Sequence, residues 1–142
     1  MKERAPPIEA NKALVRRYYE DLWNRWDLSL ANELLSPDLK FRGSLGLDAG
    51  GIRAFRRYAR TVWLAFPDFH NEIEEMIAEG DRVVARLTYS GTHRGEIFGI
   101  AATGRRMEYS GVALVRIADG KISEVYVVGD RLALMQQLRA DT

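Results

Sequence analysis

The sequence has 142 residues, of which 46% are hydrophobic and 29% are charged, and its formal net charge at neutral pH is +1. This length is enough for one domain with a single core. The small net charge argues against nucleic acid or an acidic membrane surface as a partner. The chain has no cysteine, which excludes disulfides, iron–sulfur clusters, zinc–thiolate sites and a cysteine nucleophile.

The N-terminal residues contain no apolar run of the kind found in a signal peptide. No segment of the chain approaches the roughly 18 consecutive apolar residues of a membrane span. We therefore expect a cytoplasmic protein with no membrane partner. Pro6 and Pro7 oppose early helix formation, so residues 1–10 are predicted to form a flexible tail and residues 11–142 a single domain.

Three helices are predicted in the first half of the chain. Apolar side chains at spacings of three and four predict a first helix at residues 11–26. A short second helix can begin after Asp27 and is expected to end at Pro37. A strand at residues 38–43 and a glycine-rich loop then lead to the third helix, at residues 51–66.

After residue 66 the spacing of apolar residues changes from helical to alternating. The predicted strands cover residues 69–78, 83–93, 107–117 and 122–128. On the first of them Phe69, Ile73 and Ile77 are in phase, and His70 is expected to face the other side. Asp119-Gly120 predicts a tight hairpin, and Asp130 opens a C-terminal helix.

Helices segregated from strands are typical of the α+β class. A bent antiparallel sheet could wrap the three early helices into a cone with an open mouth. Such a cone would leave an apolar cavity between the sheet and the helices, where a small hydrophobic or aromatic molecule could bind.

Three residues are candidates for catalysis in this cavity. If the alternation continues from Val83, His93 faces the cavity, where a neutral imidazole could transfer a proton near pH 7; alternatively, its ring caps the turn around it. Asp130 could hold a water or orient a base at the mouth, or it could cap the C-terminal helix. Arg42 could point inward and bind an enolate or carboxylate, or point outward as an edge charge.

Other residues are candidates for binding a substrate. Tyr109 is predicted on the cavity face, where its hydroxyl could donate to a developing oxyanion or serve only in packing. Trp23, Trp63 and Phe66 belong to the apolar pattern, and one or two of them could stack on a planar ligand. Phe41 lies on the opposite face of its strand from Arg42.

Several motifs that would indicate other chemistry are missing. The two histidines form no HxxxH pair, which argues against a metal site. The chain also has no GxSxG elbow, no GxGxxG or Walker loop and no HExxH motif. Covalent hydrolysis and nucleotide-dependent chemistry are therefore not expected.

Short motifs spread along the chain resemble the SnoaL-like polyketide cyclase family, which belongs to the nuclear transport factor 2-like superfamily. They are Phe66-Pro67-Asp68, Gly80-Asp81-Arg82-Val83, Gly91-Thr92-His93, Thr103-Gly104, Asp119-Gly120-Lys121-Ile122, Asp130 and Gln137-Leu138. The resemblance covers roughly residues 11–138 and implies a cone-shaped fold. It also implies an enzyme that closes a ring by intramolecular aldol condensation, using an acid/base aspartate on the last strand and no metal or organic cofactor.

The sequence departs from the family pattern at the implied reaction centre. An ungapped comparison of the C-terminal end places Val127 where the resemblance implies the aspartate, and Gly111 and Ala113 where it implies polar side chains. Val127 would then line the substrate pocket. The resemblance therefore also allows a cofactor-independent hydroxylase of the same family, a non-catalytic binding or oligomerisation module, or a hydrolase or isomerase of another small metabolite.

The outward-facing side of the predicted sheet carries apolar side chains, and these predict a homodimer formed through this face. They are Val84, Val112, Leu114, Tyr126 and Val128.

Overall fold

The computed structural model describes residues 7–139. Residues 1–6 of the predicted tail and the last three residues of the predicted domain lie outside this range. The helices are α1 (Ile8–Arg17), which continues as a π-helical segment (Tyr18–Trp23), α2 (Ala31–Leu34), preceded by a 3₁₀ turn (Leu28–Leu30), α3 (Gly51–Ala65) and α4 (Arg131–Arg139). The strands are β1 (Leu35–Arg42), β2 (Asp48–Gly50), β3 (His70–Glu79), β4 (Arg82–Thr92), β5 (Arg106–Ala118) and β6 (Lys121–Gly129).

The six strands form one mixed sheet in the order β2-β1-β6-β5-β4-β3. The pairing of β1 with β6 is parallel, and all the other pairings are antiparallel. Side chains of β5 alternate between buried and exposed along its whole length, as expected for a strand with one face against the core. The α+β class predicted for this chain is confirmed.

The inner face of β4 also follows the predicted alternation. Val83, Ala85, Leu87 and Tyr89 are all buried, and the same phase continues to His93. On β3 the predicted phase is wrong beyond Ile73, because a bulge lies between Ile73 and Glu75. The extra residue reverses the alternation, so that Ile77 is 62% exposed while its neighbours Met76 and Ala78 are partly buried.

Several elements differ from the predicted ones. The first helix begins at Ile8, so residues 8–10 are helical rather than part of a tail, and Pro7 stands at the N-cap, where its missing N–H costs nothing. β1 begins at Leu35 and contains Pro37; the pairing with β6 is irregular between Leu35 and Lys40, so a residue without an N–H is accommodated there. The predicted glycine-rich loop contains the short edge strand β2.

The first helix ends in a Schellman motif three residues after Trp23. The Trp26 N–H donates to the Trp23 carbonyl (3.2 Å) and the Asp27 N–H donates to the Leu22 carbonyl (3.0 Å). Trp26 therefore has a positive φ of 55°, a conformation that glycine normally adopts at this position. Its indole ring packs against Trp23 and Trp63. No helix within residues 7–139 is long and apolar enough to cross a membrane.

Candidate functional site

A hollow lies between the helices and the inner face of the sheet, and most of its lining is aromatic. The lining residues are Tyr18, Tyr19, Trp23, Phe41, Gly43, Ser44, Tyr58, Val62, Phe69, Asn71, Tyr89 and Val127. The free volume is about 20 Å³, which is room for about one water molecule. The expected open cavity is therefore largely filled by its own side chains.

The π-helical segment is the local reason why so many aromatic rings reach the hollow. The Asn24 N–H donates to the Tyr19 carbonyl, five residues earlier, at 2.9 Å, which is the π-helical pattern. The wider turn keeps the neighbours Tyr18 and Tyr19, and then Leu22 and Trp23, on the buried side.

Two hydroxyl contacts fix the loop after β1 against the hollow. The Ser44 and Tyr109 hydroxyls lie 2.8 Å apart, and the Leu45 N–H donates to the Tyr58 hydroxyl at 3.3 Å. The Tyr58 hydroxyl also sits where a Cβ atom on Gly43 would lie, so only glycine permits this approach. Tyr109 does not line the hollow itself, but its hydroxyl bonds to Ser44, which does.

Tyr89 is the exception among these hydroxyl groups. Its side chain is buried in the lining, yet its hydroxyl has no hydrogen-bond partner among residues 7–139. The ring stacks on Phe69, with centroids 5.8 Å apart and planes at 16°. It also packs against Tyr109, its cross-strand partner, at 4.9 Å.

Burial reinforces the neutral state that these phenols have at their ordinary pKa of 10.0. Desolvation raises the pKa of Tyr58 to about 12, although hydrogen bonds from the Leu45 N–H and with Ser44 oppose the rise. Burial likewise raises the pKa values of Tyr18, Tyr19, Tyr89 and Tyr109 above the ordinary value for tyrosine. The hydroxyls at the hollow are therefore neutral at physiological pH and can donate hydrogen bonds.

Among residues 7–139, those that line the hollow include no carboxylate, imidazole, amine or guanidinium. The polar groups are phenols, the Ser44 hydroxyl and the Asn71 amide, whose nitrogen donates to the Asn24 side-chain oxygen at 3.1 Å. Within residues 7–139, no group of three histidine, cysteine or acidic side chains is placed to hold a metal ion. The lining is therefore aromatic with a few neutral polar groups, and the space it encloses is about that of one water molecule.

His93 is fully buried but does not line the hollow. Its Nδ1 accepts from the Thr103 N–H at 3.2 Å and lies 3.0 Å from the Thr103 hydroxyl, and its ring packs against Phe66 at 5.7 Å. The main chain of His93 bonds to Arg105 and Gly104. This geometry corresponds to the predicted alternative in which the His93 ring caps the turn around it, and not to the one in which the ring faces the cavity.

The other two catalytic candidates also lie away from the hollow. The Asp130 carboxylate is exposed and accepts from the Ala133 N–H at 3.1 Å, as a helix cap does. Arg42 does not point inward: its guanidinium pairs with Asp48 at 3.2 Å and lies 5.6 Å from the centre of the Tyr126 ring. The alternation of β1 buries Phe41 and therefore directs Arg42 to the opposite face.

The predicted substrate-binding residues divide into two groups. Trp23, Phe41 and Val127 line the hollow. Trp63 is 43% exposed and Phe66 packs behind the hollow against His93, so neither reaches it. Six polar residues of the lining were not predicted as binding residues from the sequence: Tyr18, Tyr19, Tyr58, Tyr89, Ser44 and Asn71. The signal that could have indicated them is that four of the six are tyrosines within the apolar pattern.

Comparisons with known proteins agree with this fold. The model of the SnoaL-like polyketide cyclase family matches residues 13–138. The aklanonic acid methyl ester cyclase DauD from Streptomyces sp. (strain C5) is 38% identical over an alignment 140 residues long, and the match covers 94% of this chain and 82% of that protein. The cyclase of the same name, DnrD from Streptomyces peucetius, is 36% identical over an alignment 83 residues long, and the match covers 56% of this chain and only 57% of that protein.

Among solved structures, AclR from Streptomyces galilaeus, described as a candidate hydroxylase, superimposes with a TM-score of 0.82. It is 32% identical, and the match covers 96% of this chain and 89% of AclR. The family match, the match to DauD and the shared fold each cover nearly the whole of the described range. The chain therefore belongs to the SnoaL-like polyketide cyclase family.

Proposed function

We propose that this protein binds an aromatic, polyketide-type keto compound in the hollow and promotes its reaction through the enolate, without a cofactor. The observation that carries this proposal is the lining itself, in which neutral hydroxyl groups stand among aromatic rings. Donors of this kind stabilise negative charge that develops on a carbonyl oxygen. The names of DauD and DnrD support the substrate class.

The chemistry begins when a proton leaves a carbon atom next to a carbonyl group and the charge moves to the oxygen. Because the lining holds no carboxylate or imidazole, the base in this proposal is water, hydroxide or another group of the substrate. The protein contributes position and hydrogen bonds. Ring closure follows if the carbanion attacks an internal carbonyl group; an oxygenated product follows if it reacts with dioxygen.

A substrate of several rings is much larger than the free volume of about 20 Å³, so the lining must rearrange when it binds. Trp23 lines the hollow and packs against Trp26 at 5.7 Å, and Trp26 packs against the half-exposed Trp63 at 6.3 Å. A displacement of Trp23 would therefore change the tryptophan fluorescence, which provides a direct assay for binding.

The test is incubation of the purified protein with a polycyclic keto methyl ester that carries a side-chain carbonyl, under air and under argon. Mass spectrometry of the products separates the two reactions. A product isomeric with the substrate in both atmospheres indicates ring closure, and a product with added oxygen under air alone indicates oxygenation. If no product forms in either atmosphere, both reactions are excluded for this substrate class.

A second candidate function is non-catalytic binding of the same class of ligand. It is favoured by the lack of any lining residue that could act as an acid or base at neutral pH. Exchange of the acidic C–H of the bound keto ester in D₂O distinguishes the two. Faster exchange with the protein than without it supports enolate formation, whereas fluorescence-detected binding with unchanged exchange supports binding alone.

A further inference from the structure

We propose that the Tyr89 hydroxyl donates the hydrogen bond that recognises the ligand's carbonyl or enolate oxygen, and that Gly111 is the residue that allows it to do so. This inference rests on the proposed function and deepens it by naming the polar contact that selects an oxygen-bearing ring over a hydrocarbon ring.

The first argument is that the Tyr89 hydroxyl is buried and unpaired. Tyr89 is 2% exposed. Within residues 7–139, the buried side-chain polar atoms that have no hydrogen-bond partner are this hydroxyl and Nε2 of His93. His93 does not line the hollow, but Tyr89 does. Because a buried hydroxyl without a partner destabilises a fold, an unpaired donor in a binding site is understood most simply as one whose partner is the ligand.

The second argument is the contrast with the neighbouring hydroxyls. Tyr109 is already engaged with Ser44, and Tyr58 accepts from the Leu45 main chain. Both serve to hold the loop after β1 in place. Tyr89 therefore differs from them in having its hydrogen-bonding capacity intact, while its ring is held by stacking on Phe69.

The third argument is the space that Gly111 leaves open. Gly111 lies on β5 opposite Leu87, two positions from Tyr89 along β4. A Cβ atom at position 111 would lie 2.6 Å from Cε2 of Tyr89 and 3.2 Å from its hydroxyl oxygen. Any side chain there must displace the Tyr89 ring or the strand. The polar group that the family resemblance implies on β5 is thus supplied here from β4.

The ligand chemistry follows from these surroundings. A phenol that burial keeps neutral donates to an oxygen acceptor, and its donation becomes stronger as that oxygen gains negative charge. The aromatic neighbours favour a planar, apolar ring attached to that oxygen. An aryl ketone, and more strongly its enolate, has both features.

The experiment compares binding of 1-tetralone, an aryl ketone, with binding of tetralin, the same two rings without the oxygen. Fluorescence titration is done on the parent protein, Tyr89→Phe, Gly111→Ala and Tyr109→Phe, the last being a matched control that removes a hydroxyl already paired within the fold. We expect Tyr89→Phe to weaken tetralone binding about 3- to 10-fold and to leave tetralin binding within about twofold. Gly111→Ala is expected to weaken tetralone binding at least as much.

Thermal unfolding gives a second measurement that needs no ligand. Tyr89→Phe removes an unpaired buried hydroxyl, so its Tm should rise by roughly 2–8 °C. Tyr109→Phe leaves Ser44 without its partner, so its Tm should fall. A fall in the Tm of Tyr89→Phe would show that its hydroxyl already has a partner within the fold, which would contradict the inference.

The outcomes separate this inference from the function on which it rests. If the parent prefers tetralone to tetralin and Tyr89→Phe keeps that preference, Tyr89 is not the recognition donor, although the proposed ligand class stands. If the parent binds both compounds equally, the inference is also wrong. If the parent binds neither compound, the proposed ligand class and this inference are both overturned.

Discussion

The hydroxyl of Ser44, in the loop after β1, lies 2.8 Å from the hydroxyl of Tyr109 on β5. Both residues are buried, so each group satisfies the other in a place that water does not reach. We predict that Ser44→Ala and Tyr109→Phe each lower the free energy of unfolding by about 1–3 kcal/mol. The double variant should lose less than the sum, because it leaves no unpaired partner. Denaturant unfolding of the four proteins measures this coupling, and strict additivity would contradict it.

His93 is predicted to stabilise the fold rather than to take part in the reaction. His93→Ala removes the acceptor of the Thr103 N–H and leaves a void beside Phe66, so it should lower the free energy of unfolding by about 2–4 kcal/mol. His70→Ala is the matched control, because the His70 side chain is 50% exposed and its loss should change stability by less than about 0.5 kcal/mol. A folded, fully stable His93→Ala protein that binds ligand but has lost turnover would contradict this prediction.

Stability is predicted to fall steeply in alkaline solution. Burial raises the pKa of five tyrosines above the ordinary value of 10.0, so the unfolded chain releases these protons at lower pH than the folded one. Their contribution is complete below pH 10 and is lost as the pH rises above it, by up to about 1.4 kcal/mol per pH unit for each tyrosine. Denaturant unfolding at pH 8 and pH 11 tests this, together with phenolate absorbance. Ionisation of all five within a protein that stays folded at pH 10 would refute it.

The outer face of the sheet is predicted to form a homodimer. Two cross-strand pairs expose apolar side chains there, Leu114 with Tyr126 and Val112 with Val128, and such a patch favours burial against a second copy. Sedimentation at micromolar concentration should give twice the 16.2 kDa of the chain. Val128→Glu should yield monomers, whereas Leu64→Glu, at an exposed leucine on α3, should not. A monomeric parent protein would exclude this interface.

Much of the fold could be predicted from the sequence because its signals are local and regular. The alternation on β4 and β5 places Val83 to Tyr89 and Tyr109 on the inner face, as found. The bulge in β3 could not be predicted from the sequence. It falls at Glu74 and Glu75, and an acidic side chain is exposed to solvent there whether or not the alternation of the strand is shifted by one residue. The edge strand β2 is only three residues long and depends on its pairing with β1.

The candidate site was predicted less completely, for a physical reason. Val127 and Phe41 line the hollow, as expected for the pocket; that they bind a substrate stays a prediction. The rings of Tyr18 and Tyr19 reach the hollow together only because the first helix widens to a π-helix, and nothing in the apolar spacing indicates that change. Asp130 and Arg42 were selected for their chemistry, but each has a local partner that holds it elsewhere.

The parallel pairing of β1 with β6 has a consequence for how the protein is made. Phe41 lies beside Val125, so the centre of the sheet joins two segments that are far apart in the sequence. Closing so long a loop is slow. The edge of β1 that faces away from β2 also has no partner strand until β6 has left the ribosome. During synthesis, the edge of β1 that will pair with β6 therefore stays unpaired, and an unpaired strand edge can pair wrongly with another chain.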